Sequence, residues 1–226
     1  MYKFNMILLF IMLLCILDRV DAFIKDVPLL GKVIYLDAGH GGKDPGAYYK
    51  DIYEEDINLS ITLKLRNKLE KMGAVVYLTR EEDYDLANPN ASLRKRSDLG
   101  NRAKMINSSD ADIYLSIHLN SSTNTSWKGA QVFYYDSSEE GKRLGEILQN
   151  ALVKNLDSSN HRLAKGNTSY YLLKKTEVPV VIAECGFLSN HEEANLLATE
   201  SYQEEIAEAI CLGIMEYLKE KEAEIL

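Results

Sequence analysis

Cysteine, histidine and proline are scarce in this chain: three Cys, four His and four Pro in 226 residues. Three cysteines cannot make the disulfide framework that holds small secreted folds together. The chain must therefore rely on a hydrophobic core, for which its 46% apolar residues suffice. Basic residues are the minority, 26 Lys and Arg against 34 Asp and Glu, for a formal charge of −8. No stripe of Lys and Arg breaks that balance. This excludes the electrostatic footprint of a nucleic-acid binder and any attraction to an anionic membrane surface. No internal repeat occurs, and no Gly-Lys-Ser/Thr sequence closes a phosphate loop.

The N-terminus reads as a separate object. In MYKFNMILLFIMLLCILDRVDA, Lys3 precedes twelve apolar residues, Met6–Leu17, and then Val20-Asp21-Ala22. A positive start, a short apolar core and a small residue make the order of an export signal. Twelve residues fall short of the ~20 that span a bilayer. Residues 1–22 are therefore expected to be a signal peptide and 23–226 one catalytic-sized domain. Membrane association would come only through an uncleaved N-terminal segment. Cys185 and Cys211 remain after the signal and are expected to be buried free thiols.

Strand-type runs occur at 33–37, 74–79, 112–118, 130–135 and 179–184, with a further short one expected at 170–173. Several are continuous rather than alternating, as in strands covered on both faces. Helical patterns lie between them, at 56–72, 96–107, 138–155 and 201–220. In the first of these Ile57, Ile61, Leu65 and Leu69 share one face, and Gly73 stops the helix. The alternation predicts one α/β domain with a mainly parallel, twisted sheet of about six strands flanked by helices on both faces.

Two of the four histidines stand at strand ends. His40 follows VIYLDAG and is flanked by Gly39, Gly41 and Gly42; His118 ends DIYLSIH. With Glu54, just before the first helix, they supply two imidazoles and one carboxylate. That is the ligand set of an open, catalytic zinc site, with the fourth position left to water. Bland readings exist for each alone: a loop histidine, a charge favoured by a helix dipole, and a satisfied core histidine. Glu184, in VVIAECGFLSN, ends an apolar strand, where a carboxylate is costly unless paired or active. Beside a metal it would serve as general base and then general acid; otherwise it is a buried glutamate bonded to backbone amides. His161 and His191 lie in polar segments and are expected to face water. The loops at 81–95 and 120–128 are candidates for shaping a site at the carboxyl ends of the strands. Trp127, the only Trp, suits either sugar stacking or pinning its own loop.

Together these segments resemble the zinc-dependent N-acetylmuramoyl-L-alanine amidases of the amidase-3 type, from about Lys32 to about Leu218. LDAGHGG is similar to the family's opening motif and EEDINL to the segment that starts its first helix, where Glu55 replaces a common Lys. VYLTREED carries Thr79, Arg80 and Asp83 at family positions. NRAKMINSSDADIYLSIHLN carries Arg102, Asn107, Asp112 and Ser116, read as structural, and AECGFLSN resembles the segment with the catalytic glutamate. The resemblance implies zinc ligands His40, Glu54 and His118 and the catalytic residue Glu184. It implies hydrolysis of the amide between N-acetylmuramic acid and L-alanine of peptidoglycan. The compact chain is most similar to the CwlD-type, germination-specific subgroup of spore-forming bacteria. For that subgroup the expectations are formation of muramic-δ-lactam in the spore cortex and support of germination, with action in the cell wall or cortex space. An accessory protein aiding substrate binding or zinc retention is expected because nothing outside the catalytic unit could hold a glycan strand. The competing functions are a non-catalytic peptidoglycan-binding protein and a zinc peptidase acting within the stem peptide.

Overall fold

The β-branched and aromatic runs form the centre of a six-stranded sheet. A computed structural model describes residues 27–224 together with Met6, Phe10 and Met12. Apart from those three positions, the expected export signal over 1–22 lies outside the described residues. The strands are β1 (Val33–Ala38), β4 (Val75–Leu78), β5 (Ile113–Asn120), β6 (Gln131–Tyr135), β7 (Lys165–Asn167) and β8 (Val180–Phe187), while β2 (Tyr48–Tyr49) and β3 (Ile52–Tyr53) make a separate small hairpin. The sheet order is β4-β1-β5-β8-β6-β7. β4, β1, β5 and β8 are mutually parallel; β6 runs antiparallel to β8 and pairs in parallel with β7.

Helices α1 (Glu54–Lys71), α2 (Arg94–Asn107), α3 (Glu139–Asn155), α4 (Tyr171–Lys175), α5 (His191–Leu197) and α6 (Glu200–Ala223) cover both faces. Successive strand residues point to opposite faces. Ile34, Leu36, Leu115 and Val181 therefore pack into one core with α1, α3 and α6. Tyr35, Tyr114 and Ile182 pack into a second core with α2 and α4. In α1, Ile57, Ile61, Leu65 and Leu69 are all buried, as their four-residue spacing requires. Acidic Glu54, Glu55 and Asp56 open that helix and Lys68 and Lys71 close it, the arrangement a helix dipole favours. Gly73, at φ +93°, then turns the chain in the left-handed region.

The connection from β1 leads to β4 on one side, and the chain then returns to place β5 on the other. The point where strand order reverses is where open α/β sheets build their sites. His40, in the loop after β1, and His118, near the carboxyl end of β5, lie there. One expectation is corrected: residues 170–173 are not a strand. Tyr171–Lys175 is a short helix that buries Leu172 and Leu173 against the α2 face. A short apolar run carries no period that separates the two states. No helix among the described residues is long and apolar enough to cross a membrane.

Candidate metal centre

The site begins with a buried anion. Asp37, on the α2 face of β1, is fully buried. It accepts hydrogen bonds from Thr79 Oγ1 at 2.6 Å, Tyr114 Oη at 2.8 Å, Ser116 Oγ at 2.5 Å and Arg102 Nη1. Burial disfavours its charge, but Arg102, then Ser116 and Thr79, overcome this and hold the carboxyl well below the usual range. Arg102 also donates to the carbonyls of Ala38 (2.9 Å) and His40 (2.6 Å). Arg80 donates to Ala38 (3.0 Å) and Gly39 (3.1 Å). Two buried guanidinium groups thus grip three consecutive carbonyls of the turn that carries His40. The grip has work to do, since His40 sits at φ +62°, a left-handed conformation costing a non-Gly residue on the order of 1–3 kcal/mol.

Glu54, the first residue of α1, lies between the two imidazoles. Its Oε1 is 3.2 Å from His40 Nε2 and 3.1 Å from His118 Nδ1. One ligand-type atom of each of the three lies within 4.8 Å of the other two. Ligands bonded at about 2.0–2.1 Å to one tetrahedral zinc sit roughly 3.3 Å apart, so the donor set and its spacing fit that ion. The carboxylate is aimed by the backbone: Ala47 N–H donates to Oε2 at 2.8 Å and Leu119 N–H to Oε1 at 3.0 Å. Asn58, one turn along α1, donates to the Gly39 carbonyl at 3.2 Å. Burial works against the Glu54 charge, yet His118 and then His40 push its pKa far down. At His40 burial opposes the cation, but Glu54 and Asp44 outweigh it and raise the pKa to about 8. His40 Nδ1 is 3.0 Å from Asp44 Oδ2, within ion-pair range though out of line for a hydrogen bond. An outer carboxylate of this kind orients a ligating imidazole.

Glycine makes the seat. A Cβ on Gly39 would stand 2.2–2.6 Å from three atoms of the His118 ring. Gly39→Ala is therefore expected to displace that ring and weaken any metal binding by this group about 10–100-fold with the helical circular dichroism retained. A chelator-competition titration reads this directly, and parental affinity would remove the His118 ring from the metal site.

Glu184 is the register neighbour of His118 across β5 and β8. Its side chain projects to the same face, is only 9% exposed, and leaves Oε2 with no hydrogen-bond partner. Burial, as the largest influence, raises its pKa to about 7. A cavity of about 320 Å³ opens over it, lined by His40, Glu54, His118 and Glu184 together with Lys95, Leu99 and Tyr170. All four side chains expected to form the site are thus brought together at one cleft.

Other residues sort differently. Glu55 turns its carboxylate toward Asp83, leaving Glu54 alone between the histidines. Asn107 bridges Lys175 and Glu177, and Asp112 accepts from Val33 N–H, so both tie elements together. Asp83 accepts from Gly42 N–H at 2.6 Å and braces the glycine loop. Trp127 packs edge-on to Phe187, with Arg162 against both rings. It is not among the residues lining the cleft, so in this structure it pins its loop. Cys185 and Cys211 are buried and unpaired. Sequence reasoning missed Asp37, Asn58 and Asp44. The adjacent Asp-Ala-Gly-His order was a usable signal for the first, since a charge inside a strand needs partners.

The amidase-3 family model, described as N-acetylmuramoyl-L-alanine amidase, matches residues 34–216. The germination-specific N-acetylmuramoyl-L-alanine amidase of Bacillus subtilis is 42% identical over 198 residues, covering 86% of this chain and 83% of that protein. The solved CwlD amidase from Clostridioides difficile, in complex with the GerS lipoprotein, superposes with a TM-score of 0.81 at 44% identity, covering 84% of this chain and 99% of that one. An N-acetylmuramoyl-L-alanine amidase from Clostridium difficile 630 gives 0.74 at 31% identity over 83% of this chain and 97% of the other.

Proposed function

The chain belongs to the N-acetylmuramoyl-L-alanine amidase family, and from that premise we propose that it is a zinc-dependent peptidoglycan amidase whose metal ligands are His40, Glu54 and His118 and whose proton carrier is Glu184. The observation that carries this reading is the meeting of two imidazoles and a carboxylate within 4.8 Å, beside a buried glutamate oxygen that has no partner. When bound, zinc would polarise the scissile carbonyl and acidify the attacking water.

The chain's own groups supply the rest. Glu184 takes a proton from water at Oε2 as the water oxygen bonds to the lactyl carbonyl carbon. It returns that proton to the alanine nitrogen as the carbon–nitrogen bond breaks. The products are the muramic carboxylate and a free peptide beginning with L-alanine. Burial keeps the Glu184 pKa near the working range rather than near 4, which suits a group that must both accept and release a proton. A dication nearby lowers such a pKa, so the acid limb of the pH–rate profile is expected at or below about 7. A limb displaced well above that value would point to another base. Leu99 and Tyr170 supply the flanks of the cleft.

His40→Ala and His118→Ala are each expected to drop zinc content well below one per chain, and a chelator to abolish turnover of the parent. Full occupancy in either variant would contradict the ligand assignment. Fragment masses separate the rival functions: the amidase frees an intact stem starting at L-alanine, a peptidase cuts within it, and a binding protein releases nothing.

The similarity to a germination-specific amidase supports a place in spore cortex maturation, where stem removal exposes the muramic carboxylate that closes to the δ-lactam. Cortex from a strain lacking this protein should lack the lactam, with Glu184→Gln failing to restore it. The export signal expected at 1–22 fits an enzyme acting on wall or cortex. The complex of the related Clostridioides difficile amidase with a lipoprotein supports an accessory protein here, one that aids substrate binding or zinc retention.

A further inference from the structure

We propose that Lys95 is a substrate-binding residue that holds the stem peptide by the free carboxylate of its second residue. The inference rests on the amide-cleaving reading above and adds a specificity determinant to the same cleft.

Lys95 lies in the first turn of α2 and lines the cavity shared by His40, Glu54, His118 and Glu184. It also lines the two hollows that adjoin this cavity, one beside Leu93, Leu99 and Tyr171 and the other beside Lys43 and Asp85. Of the cations around these hollows, Lys43 and Arg96 do not line the catalytic cavity, and the two nearby arginines are already committed. Arg102 is spent on Asp37, Asp98 and backbone carbonyls. Arg94 makes a two-point contact with Asp85, at 2.9 and 2.7 Å. Lys95 has no ion pair among the described residues and its side chain is exposed.

Its placement also runs against the local grain. α1, α3, α5 and α6 all carry acids in the first turn. α2 carries none and opens Arg94-Lys95-Arg96, at the end where a helix dipole disfavours cations. In a chain of formal charge −8, this is an unfavourable concentration of positive charge, and Lys95 lines the catalytic cavity with no ion-pair contact, the carboxylate of Asp44 on the same wall acting on it only at longer range. A local rule broken beside a site is the pattern of a functional residue.

The substrate supplies the missing anion. The peptide leaving the muramic acid begins with L-alanine, followed by a D-glutamate joined onward through its side chain. The α-carboxylate of that glutamate is free and stands roughly 7 Å from the scissile nitrogen, about two residues of chain. A lysine on the cleft wall matches that reach and charge. The contact exists before and throughout bond cleavage, so it acts mainly as uniform binding, raising kcat/KM through KM.

The test uses zinc-loaded full-length enzyme and matched glycan strands whose stems carry either D-glutamate or D-isoglutamine, the α-amide, at the second position. The parent is expected to prefer the acid about tenfold in kcat/KM. Lys95→Met is expected to bring that ratio near one, and Lys95→Arg to keep most of it. A Lys95→Met enzyme that retains the parental preference, or a parent with no preference, overturns the assignment while leaving the amidase intact. A parent inert on both strands removes the amide-cleaving reading itself, and this inference with it.

Discussion

Glu184→Gln is expected to lower kcat roughly 10²–10⁴-fold while zinc content stays at that of the parent. The substitution is close to isosteric and the position tolerates it. Oε2 has no hydrogen-bond partner to lose, and the neutral amide is easier to bury than a carboxylate. Folding stability should therefore hold or rise slightly, which separates this variant from one that fails by unfolding. KM should change little, because the proton is moved in the transition state rather than in the ground-state complex. Parental turnover would place the base elsewhere. Loss of zinc together with activity would make Glu184 a ligand instead of a proton carrier.

The second large effect lies beneath the site. Asp37→Ala removes the anion that Arg102, Thr79, Tyr114 and Ser116 all address. It leaves the Arg102 guanidinium buried without its main counter-charge. Breaking one side of a buried ion pair costs about 3–5 kcal/mol. At roughly 2–4 °C per kcal/mol for a domain of this size, the melting temperature should fall about 6–20 °C. The same Arg102 holds the carbonyls of Ala38 and His40, so zinc affinity should fall with stability. The pH dependence has a definite sign. The folded-state pKa of Asp37 is depressed, so its stabilising contribution is present above the ordinary carboxylate value near 4. That contribution is lost as pH falls from there toward the lower folded value. Asp37→Asn lacks the contribution at every pH, and its denaturation midpoint should approach that of the parent in acid. A constant gap between the two from pH 7 to pH 3 would mean that the loss comes from packing rather than charge.

What could be read from residue order and what could not follow from how each kind of information is encoded. Strands β1, β5 and β8 were legible because burial on both faces demands unbroken β-branched runs. α1 was legible because Ile57, Ile61, Leu65 and Leu69 keep a helical spacing. The antiparallel turn of β6 against β8 was not, since pairing direction leaves no mark on composition. β7, over Lys165–Asn167, has no apolar pattern at all. α5 was missed although Asn190 caps it, accepting from the amides of Glu192 and Glu193, because seven residues are too few to show a period. At the site, His40, Glu54, His118 and Glu184 could be singled out by residue type at strand and helix ends. Their meeting on one rim is what a parallel sheet allows, but residue order alone does not fix it, because it depends on β1 and β5 lying side by side at the reversal of strand order. Asn58 and Asp44 gave no signal, since each acts only through a neighbour brought to it by the fold.

One zinc ion shared by His40, Glu54 and His118 would be seen without intermediary by X-ray absorption at the zinc edge on the metal-loaded protein. The expected spectrum has a four-coordinate first shell of nitrogen and oxygen at about 2.0–2.2 Å, with outer-shell scattering from two imidazoles and no sulfur at about 2.3 Å. A sulfur shell, or a spectrum with fewer than two imidazoles, would contradict it.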